Sequence, residues 1–329
     1  MSLFNNNKNI LLCGVPRSGT SWVAKILSFP KYIKYIHEPD NERHNYLGYL
    51  YKNGTGRFPY SEDVENRNKM KLTFKYAGKG IYLDSNSFFT RVLKKVYGFD
   101  KASIENRIKL PDNEEFYVRG ISYYQLLFWY EIAGRMNALS YLKKRKLIKS
   151  VHIPLFLPEI VKNFDFEILL LFRHPAGVIA SQKRYGLNDM IRPLHKQIPI
   201  YSDLIKPVKD SWDSLKTPLE KAGAQIGLMY RNMQNTAEEY GLKTIFFDEL
   251  SAHPEESFEK LFKTLDIDWS KEVVAYLDQL NQKGKKYSVK RISSIQADKW
   301  KSELTSVEIN QIIEGYRIFS PEYYPDFYK

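Results

Sequence analysis

Short apolar runs alternate with longer amphipathic segments along most of the chain. The short runs are typical of buried strands in a parallel sheet, and the longer segments have helical spacing. The predicted strands cover residues 9–14, 34–37, 147–151, 167–172 and 243–247. The predicted helices cover residues 19–28, 61–77, 86–98, 119–142, 155–163, 176–184, 219–240, 254–265, 270–280 and 305–318. This alternation predicts an α/β fold with a central parallel sheet flanked by helices.

Three stretches lack a periodic pattern, at residues 40–60, 188–215 and 283–291. The sequence contains no internal repeat, and no linker composition divides it. We therefore expect residues 1–329 to form a single domain with helical insertions.

The charge balance narrows the class of ligand. Fifty Lys and Arg residues against 38 Asp and Glu residues give a net charge of +12. Such a balance favours an anionic ligand, a nucleic acid or an anionic surface, although a solvated basic exterior has the same composition. Aromatic residues make up 15% of the chain and include 24 Tyr, a composition that suits clefts for sugars or flat rings.

Cysteine usage and hydropathy indicate the compartment. Cys13 is the only cysteine, so no disulfide can form within the chain, and a reducing compartment is expected. The apolar run at residues 10–15 is too short for a signal or membrane segment, and charged residues interrupt the run near 126–130. We expect a soluble cytoplasmic protein.

The most specific motif follows the first predicted strand. Residues 14–22 read Gly-Val-Pro-Arg-Ser-Gly-Thr-Ser-Trp, which has the layout of a strand, a Gly-containing turn and a helix that binds phosphate. A nucleoside-triphosphate loop has the spacing G-x-x-x-x-G-K-[ST], but Thr20 occupies the Lys position and Arg17 lies inside the loop. Backbone N–H groups of such a turn point at one spot beside a helix N-terminus. The motif predicts a phosphate-like ligand without a γ-phosphate; a turn without a ligand is the alternative.

This loop resembles the 5′-phosphosulfate loop of sulfotransferases that use 3′-phosphoadenosine-5′-phosphosulfate (PAPS). Arg17 stands where the cytosolic animal branch has Lys, and it is similar to the Arg of bacterial and carbohydrate-acting branches. The resemblance implies that Arg17 also contacts the transferred group during catalysis. Trp22 is predicted either to stack on the base or to anchor the helix in the core. The donor-binding residues that the resemblance implies are Arg17, Ser18, Gly19, Thr20, Ser21 and Trp22.

A second anion site is predicted at the strongest strand. Arg173 lies at its carboxyl end, and Ser181 follows eight residues later on the next helix. Ligands of open α/β sheets bind at this edge, and a guanidinium with a hydroxyl can hold a phosphate. An Arg paired with a carboxylate is the alternative. The spacing resembles the 3′-phosphate-binding segment of the family, which implies that both residues bind the 3′-phosphate.

Two residues are candidates for the base that deprotonates an acceptor hydroxyl. His152, in Lys-Ser-Val-His-Ile-Pro at residues 149–154, resembles the base in the family segment Lys-Thr-His-Leu-Pro, but one extra residue separates it from Lys149. Glu38, in His-Glu-Pro-Asp, lies where some bacterial and carbohydrate sulfotransferases place a catalytic Glu. A structural histidine and an exposed loop acid are the alternatives. The resemblance implies that Lys149 stabilises charge on the bridging oxygen.

Near the C-terminus, Lys290 and Arg291 precede Asp-Lys-Trp-Lys at residues 298–301. This region is similar to the family segment Arg-Lys-Gly-x-x-Gly-Asp-Trp-Lys but lacks its glycines. The resemblance implies that Lys290 and Arg291 reach the 3′-phosphate. Residues 40–145 match no named segment of the family and are predicted to form an acceptor-side insertion.

The resemblance thus implies a P-loop-like, PAPS-dependent O-sulfotransferase that releases 3′-phosphoadenosine-5′-phosphate (PAP) and needs no metal. The predicted acceptor is a hydroxyl-bearing molecule, and by analogy a saccharide. A P-loop NTPase or kinase is one alternative, although Thr20 argues against it. A non-catalytic polyanion-binding protein is another, using the basic runs at 143–146 and 283–291. Those runs lack the interleaved aromatics of nucleic-acid modules, so no nucleic-acid partner is expected.

Overall fold

The structure is a computed structural model that describes residues 8–41, 48, 57–60, 64–77, 144–184, 186, 202–282, 295–319 and 321–324. The predicted helices at 86–98 and 119–142 and the basic loop at 283–291 lie outside these residues. Most of the predicted loop at 40–60 also lies outside them.

Five parallel strands form one sheet, as the sequence predicted, and their order in the structure is β2-β3-β1-β4-β5. The strands are β1 (Ile10–Gly14), β2 (Ile33–His37), β3 (Arg145–Ser150), β4 (Glu167–Phe172) and β5 (Lys243–Phe246). The central strand β1 is buried along its whole length and lies between β3 and β4. Because all strands are parallel, their carboxyl ends meet at one edge of the sheet, where ligands of such sheets bind.

Helices cover both faces of this sheet, and the predicted helices that fall within the described residues have bounds close to those expected. The helices are α1 (Thr20–Leu27), α2 (Val64–Lys75), α3 (Leu157–Asn163), α4 (Pro175–Lys183), α5 (Ser202–Ile205), α6 (Lys209–Asp213), α7 (Pro218–Tyr240), α8 (Phe247–Ala252), α9 (Pro254–Thr264), α10 (Lys271–Leu280), α11 (Trp300–Glu303) and α12 (Ser306–Tyr316). Short 3-10 turns cover Lys206–Val208 and Arg317–Phe319.

Two regions differ from the sequence prediction. The stretch at 188–215 was expected to be irregular, but its described part contains α5, α6 and a 3-10 turn. Phe247 was predicted to end the last strand, whereas it begins α8 directly after β5. The strand ends one residue early because the backbone turns into the helix there, and this change determines where the Phe247 ring lies.

Two helices, α7 and α12, begin with the same hydrogen-bonding motif, a capping box. Thr217 caps α7 and Thr305 caps α12, each accepting from the N–H of a Glu three residues later, whose carboxylate bonds back to the Thr N–H. These reciprocal bonds satisfy N–H groups that have no intrahelical acceptor. Gly241 ends α7 with a left-handed φ of 61°.

The side chains of β1 alternate between two apolar cores, one on each face of the sheet. Leu11 and Cys13 pack with α7 and α12 on one face, while Ile10 and Leu12 pack with α1, α9 and α10 on the other. Cys13 is fully buried. Burial, followed by the charge of Asp40, raises the pKa of its thiol well above the ordinary value.

Candidate active site

The loop between β1 and α1 turns sharply at two residues with positive φ. Arg17 has a φ of 76° and Gly19 a φ of 101°, and the Ser18 N–H donates to the Val15 carbonyl at 3.1 Å. α1 begins at Thr20, so its first N–H groups point out of the helix at the loop. Arg17, Gly19 and Ser21 are partly exposed. The geometry fits an anion, because a helix N-terminus and a basic side chain share one surface.

Three other residues of the loop motif are buried. Ser18 is fully buried, and its Oγ lies inside the loop with no hydrogen-bond partner among the described residues. Thr20 is also buried. Trp22 packs edge-on against Phe247 and Phe258, with ring centroids 5.7 and 5.1 Å away. Of its two predicted roles, the structure places Trp22 as a core anchor for α1; a donor contact for it stays a prediction.

The second predicted anion site lies directly against this loop. Arg173 follows the last residue of β4, and its Nη1 donates to the Arg17 carbonyl at 3.1 Å. In turn the Arg17 Nε donates to the Ser181 Oγ at 3.2 Å. The two motifs, 156 residues apart at their arginines, therefore form one continuous group of donors.

Arg173 is held on several sides. Its guanidinium carbon lies 4.4 Å from the centre of the Phe247 ring, a cation–π contact. Its backbone N–H donates to the Tyr230 hydroxyl at 3.0 Å, and that hydroxyl donates to the Arg173 carbonyl at 2.6 Å. Because Phe247 and Tyr230 are both buried, Phe247 supports the Arg173 guanidinium and Tyr230 supports its backbone.

The described part of the C-terminal region also contacts this site. The Arg173 Nη2 donates to the Gln296 carbonyl at 3.2 Å. The ring of His174 stacks on Trp300 with a centroid distance of 4.3 Å, beside an open pocket of about 480 Å³. Burial, followed by the charges of Lys301 and Arg173, lowers the pKa of His174 to about 4, so this imidazole is neutral at pH 7. Lys290 and Arg291 lie outside the described residues, and their predicted contacts stay predictions.

A second cluster lies at the ends of β2 and β3. These strands pair in register with His37 opposite Lys149, and Lys149 is also level with Leu12 of β1. The Lys149 Nζ makes a short ion pair with the Glu38 Oε1, and the Asn41 Nδ2 donates to the Glu38 Oε2 at 2.6 Å. The two residues considered as the base thus share one site, since His152 Nε2 lies 3.9 Å from Glu38 Oε2.

The electrostatics of this cluster favour an ionised carboxylate. Burial raises the pKa of Glu38, but the charges of Lys149, His152 and His37 and the bond from Lys149 outweigh it and hold the pKa well below 4.5. Glu38 also has a left-handed φ of 40°. A carboxylate with so low a pKa is a weak base but a strong partner for a cation.

Among the contributors to these clusters that sequence reasoning missed are Asn41, Phe247 and Gln296. Asn41 had a readable signal, because Glu-Pro-Asp-Asn at residues 38–41 is a typical β-turn sequence. Phe247 was assigned to the preceding strand, and Gln296 contributes only its backbone carbonyl. A backbone contact has no signature in residue type.

Neither a metal site nor a membrane span occurs in the part of the chain that the structure describes. No group of three or more His, Cys, Asp or Glu residues there could hold a metal ion. No helix there has both the length and the apolar character needed to cross a bilayer.

The chain matches a known protein family and is remotely similar to solved structures. A family model described as "Sulfotransferase domain" matches residues 7–317. A comparison with curated proteins finds no match.

Two solved structures are remotely similar. A sulfotransferase domain from the curacin biosynthetic pathway is 13% identical over 93% of this chain and 96% of its own, with a TM-score of 0.44. A sulfotransferase domain from the Synechococcus PCC 7002 olefin synthase is 13% identical over 93% and 94%, with a TM-score of 0.41. The family assignment depends on the family model, which matches nearly the whole chain.

Proposed function

The chain belongs to the sulfotransferase domain family, and from this premise we propose that it moves a sulfuryl group from PAPS to an acceptor hydroxyl and releases PAP. The observation that carries the proposal is the contact between the two anion motifs. Arg173 donates to the Arg17 carbonyl and Arg17 donates to Ser181, so one surface offers donors for two phosphate-like groups. PAPS carries two such groups, a 5′-phosphosulfate and a 3′-phosphate.

The donor roles follow from where each group lies. The loop N–H groups and Arg17 would bind the 5′-phosphosulfate, and Arg173 with Ser181 would bind the 3′-phosphate. Thr20 in place of the usual Lys agrees with a donor that has no γ-phosphate. Lys149 is level with Leu12, two residues before the end of β1, and from there it would neutralise charge on the leaving oxygen.

For the base we favour His152 over Glu38. An imidazole has an ordinary pKa near neutrality, whereas Glu38 has a strongly lowered pKa and is engaged by Lys149 and Asn41. In this scheme the acceptor oxygen bonds to sulfur as the bond from sulfur to the 5′-phosphate oxygen breaks. The hydroxyl proton passes to His152, and the Glu38 carboxylate stabilises the resulting imidazolium.

We propose a saccharide as the acceptor class. Support comes from the resemblance of Arg17 and the Glu38-Pro39 segment to carbohydrate-acting relatives, and from the high tyrosine content. Residues 40–145 are proposed to shape the acceptor side, and the cytoplasm is the proposed compartment.

Ligand-induced thermal shifts test the donor assignment. PAP should raise the melting temperature, whereas ATP with Mg²⁺ should not, because the loop lacks the lysine that contacts a γ-phosphate. Stabilisation by ATP with Mg²⁺ alone would instead support a nucleotide hydrolase. Transfer of ³⁵S from labelled PAPS to a panel of glycans, phenols and lipids then identifies the acceptor; transfer only to phenols or lipids would refute the saccharide assignment.

Substitutions distinguish the residues that bind the donor from the proposed base. Arg173→Ala should abolish stabilisation by PAP, whereas His152→Ala should keep PAP binding and lose turnover by about 10²–10⁴-fold. Arg184→Ala is the matched control, because it removes an arginine beyond the C-terminal end of α4 whose guanidinium pairs with Glu303. Full activity of His152→Ala together with loss in Glu38→Gln would transfer the base role to Glu38.

A further inference from the structure

A buried hydroxyl connects the two chain segments that carry the cluster around Glu38. The Ser150 Oγ donates to the Asp40 Oδ2 at 2.6 Å and accepts from the His152 backbone N–H at 3.1 Å. Both Asp40 and Ser150 are fully buried. A hydroxyl-to-carboxyl bond this short lies in the range of strong, charge-assisted bonds. The turn after β2 is thereby tied to the backbone of His152.

The bond from the His152 N–H to the Ser150 hydroxyl explains how the chain accommodates the extra residue between Lys149 and His152. Ser150 is the last residue of β3, and only Val151 lies between it and His152. A serine hydroxyl that bonds the N–H two residues later forms a compact local turn. The turn takes up the added residue, and His152 Nε2 ends 3.9 Å from Glu38 Oε2.

The segment after β2 is shaped in a complementary way. The Asn41 N–H donates to the Glu38 carbonyl at 3.0 Å, closing a turn with Pro39 in its second position. Glu38 and Asp40 then reach different partners on the β3 side: Glu38 bonds Lys149, and Asp40 bonds Ser150. These side chains join the two segments at two points, in addition to the backbone bond from the Glu38 N–H to the Lys149 carbonyl at 2.8 Å.

We propose that Asp40 and Ser150 are positioning residues for the sulfuryl-transfer reaction, an inference that depends on the function proposed above. They touch no substrate in this scheme. Their bond holds His152 at a fixed distance from Glu38, so that the imidazole is aimed and the carboxylate can stabilise its protonated form.

Steady-state kinetics with PAPS and the best acceptor of the panel test the proposal. Ser150→Ala should lower kcat by roughly 10- to 100-fold, since a misplacement of about 1 Å can cost 10²-fold in rate. The KM for PAPS and the affinity for PAP should not change, because the donor residues are untouched. Ser150→Thr keeps the hydroxyl and should restore kcat.

A double-mutant cycle separates positioning from general structural damage. If Ser150 acts through His152, then Ser150→Ala should lower kcat no further in the His152→Ala background. Ser251→Ala is the matched control: it also removes a fully buried serine hydroxyl, but this one bonds the Asp248 carbonyl in α8. Its effect should be small and should add to that of His152→Ala. Wild-type kcat in Ser150→Ala, or full additivity with His152→Ala, would overturn the proposal.

Two further measurements test the positioning role even if Ser150→Ala does not fold or the chain transfers no sulfate. If Ser150→Ala does not fold, Asp40→Asn keeps the side-chain shape, removes the charge and should lower kcat in the same direction. NMR of histidine-labelled protein needs no activity: Glu38→Gln should move the His152 ring signals in the wild-type background, but not in Ser150→Ala. The same movement in both backgrounds refutes positioning even if the chain transfers no sulfate.

Discussion

Replacing Gly19 with alanine should damage the donor loop for two separable reasons. Gly19 has a φ of 101°, a conformation that residues with a Cβ rarely adopt. A Cβ built there would also lie 2.4 Å from the Phe247 Cδ2, closer than real Cβ atoms approach any neighbour. The ring has little freedom to move, because Phe247 is 4% exposed and packs edge-on against Trp22.

Gly241 provides the reference for the magnitude. It also has a positive φ, 61°, but a Cβ built there would meet nothing within 4 Å. Gly241→Ala should therefore cost only the left-handed conformation, about 1–2 kcal/mol of unfolding free energy. Gly19→Ala should cost that amount plus about 1–3 kcal/mol of overpacking, or about 2–5 kcal/mol in total.

Urea denaturation measures both costs, and calorimetry with PAP measures the effect on the site. Gly19→Ala should also weaken PAP binding, because a displaced Phe247 ring can no longer support the Arg173 guanidinium 4.4 Å away. Gly241→Ala should bind PAP like the wild type. Equal stability losses in the two variants, with unchanged PAP affinity in both, would refute the argument from close contact.

Other predictions concern the buried ion pair, the donor arginine and the helix caps. Glu38→Gln should lower the free energy of unfolding by about 3–5 kcal/mol at pH 7, because Lys149 is left as a buried unpaired charge. Lys149→Met should recover most of this loss in the Glu38→Gln background; no recovery would mean that the pair is not the cause. Because folding lowers the pKa of Glu38 from 4.5, its contribution is complete above that value and is lost as pH falls through the folded pKa. Denaturation over a pH series should therefore show the wild-type advantage shrinking only in acid. Arg173→Lys should weaken PAP binding in calorimetry by about tenfold or more, because lysine lacks the planar fork of donors; equal affinity would show that charge alone suffices. Thr217→Ala and Thr305→Ala should each cost about 1 kcal/mol in denaturation, whereas Ser at either position should cost little.

The donor half of the site could be predicted from sequence because its motifs are local. The turn at residues 14–22 connects a strand and a helix that are consecutive in the chain, so spacing determines how they meet. Arg173 was likewise identifiable, because it directly follows the clearest apolar strand. The contact between Arg17 and Ser181 requires that β1 and β4 be neighbours, which the strand order of the structure shows.

The acceptor half depended on details that spacing does not contain. Spacing alone leaves the direction of His152 undetermined, because one extra residue follows Lys149; in the structure the His152 N–H donates to the Ser150 hydroxyl. From the sequence, Glu38 and His152 were alternative candidates for the base. The parallel pairing of β2 and β3 brings Glu38 Oε2 and His152 Nε2 to 3.9 Å from each other. Phe247 was misassigned because an aromatic residue fits the end of a strand as well as the start of a helix.

The buried position of Cys13 makes this chain convenient to label through an introduced cysteine. Cys13 is the only cysteine, it is fully buried in the central strand, and burial and Asp40 keep its thiol protonated. Thiol-directed reagents need an accessible thiolate, so the native fold should give a clean blank. A cysteine introduced at Val307, which is 67% exposed on α12, would then carry the only reactive group. A dye there could follow donor binding, with no native residue removed to prepare the background.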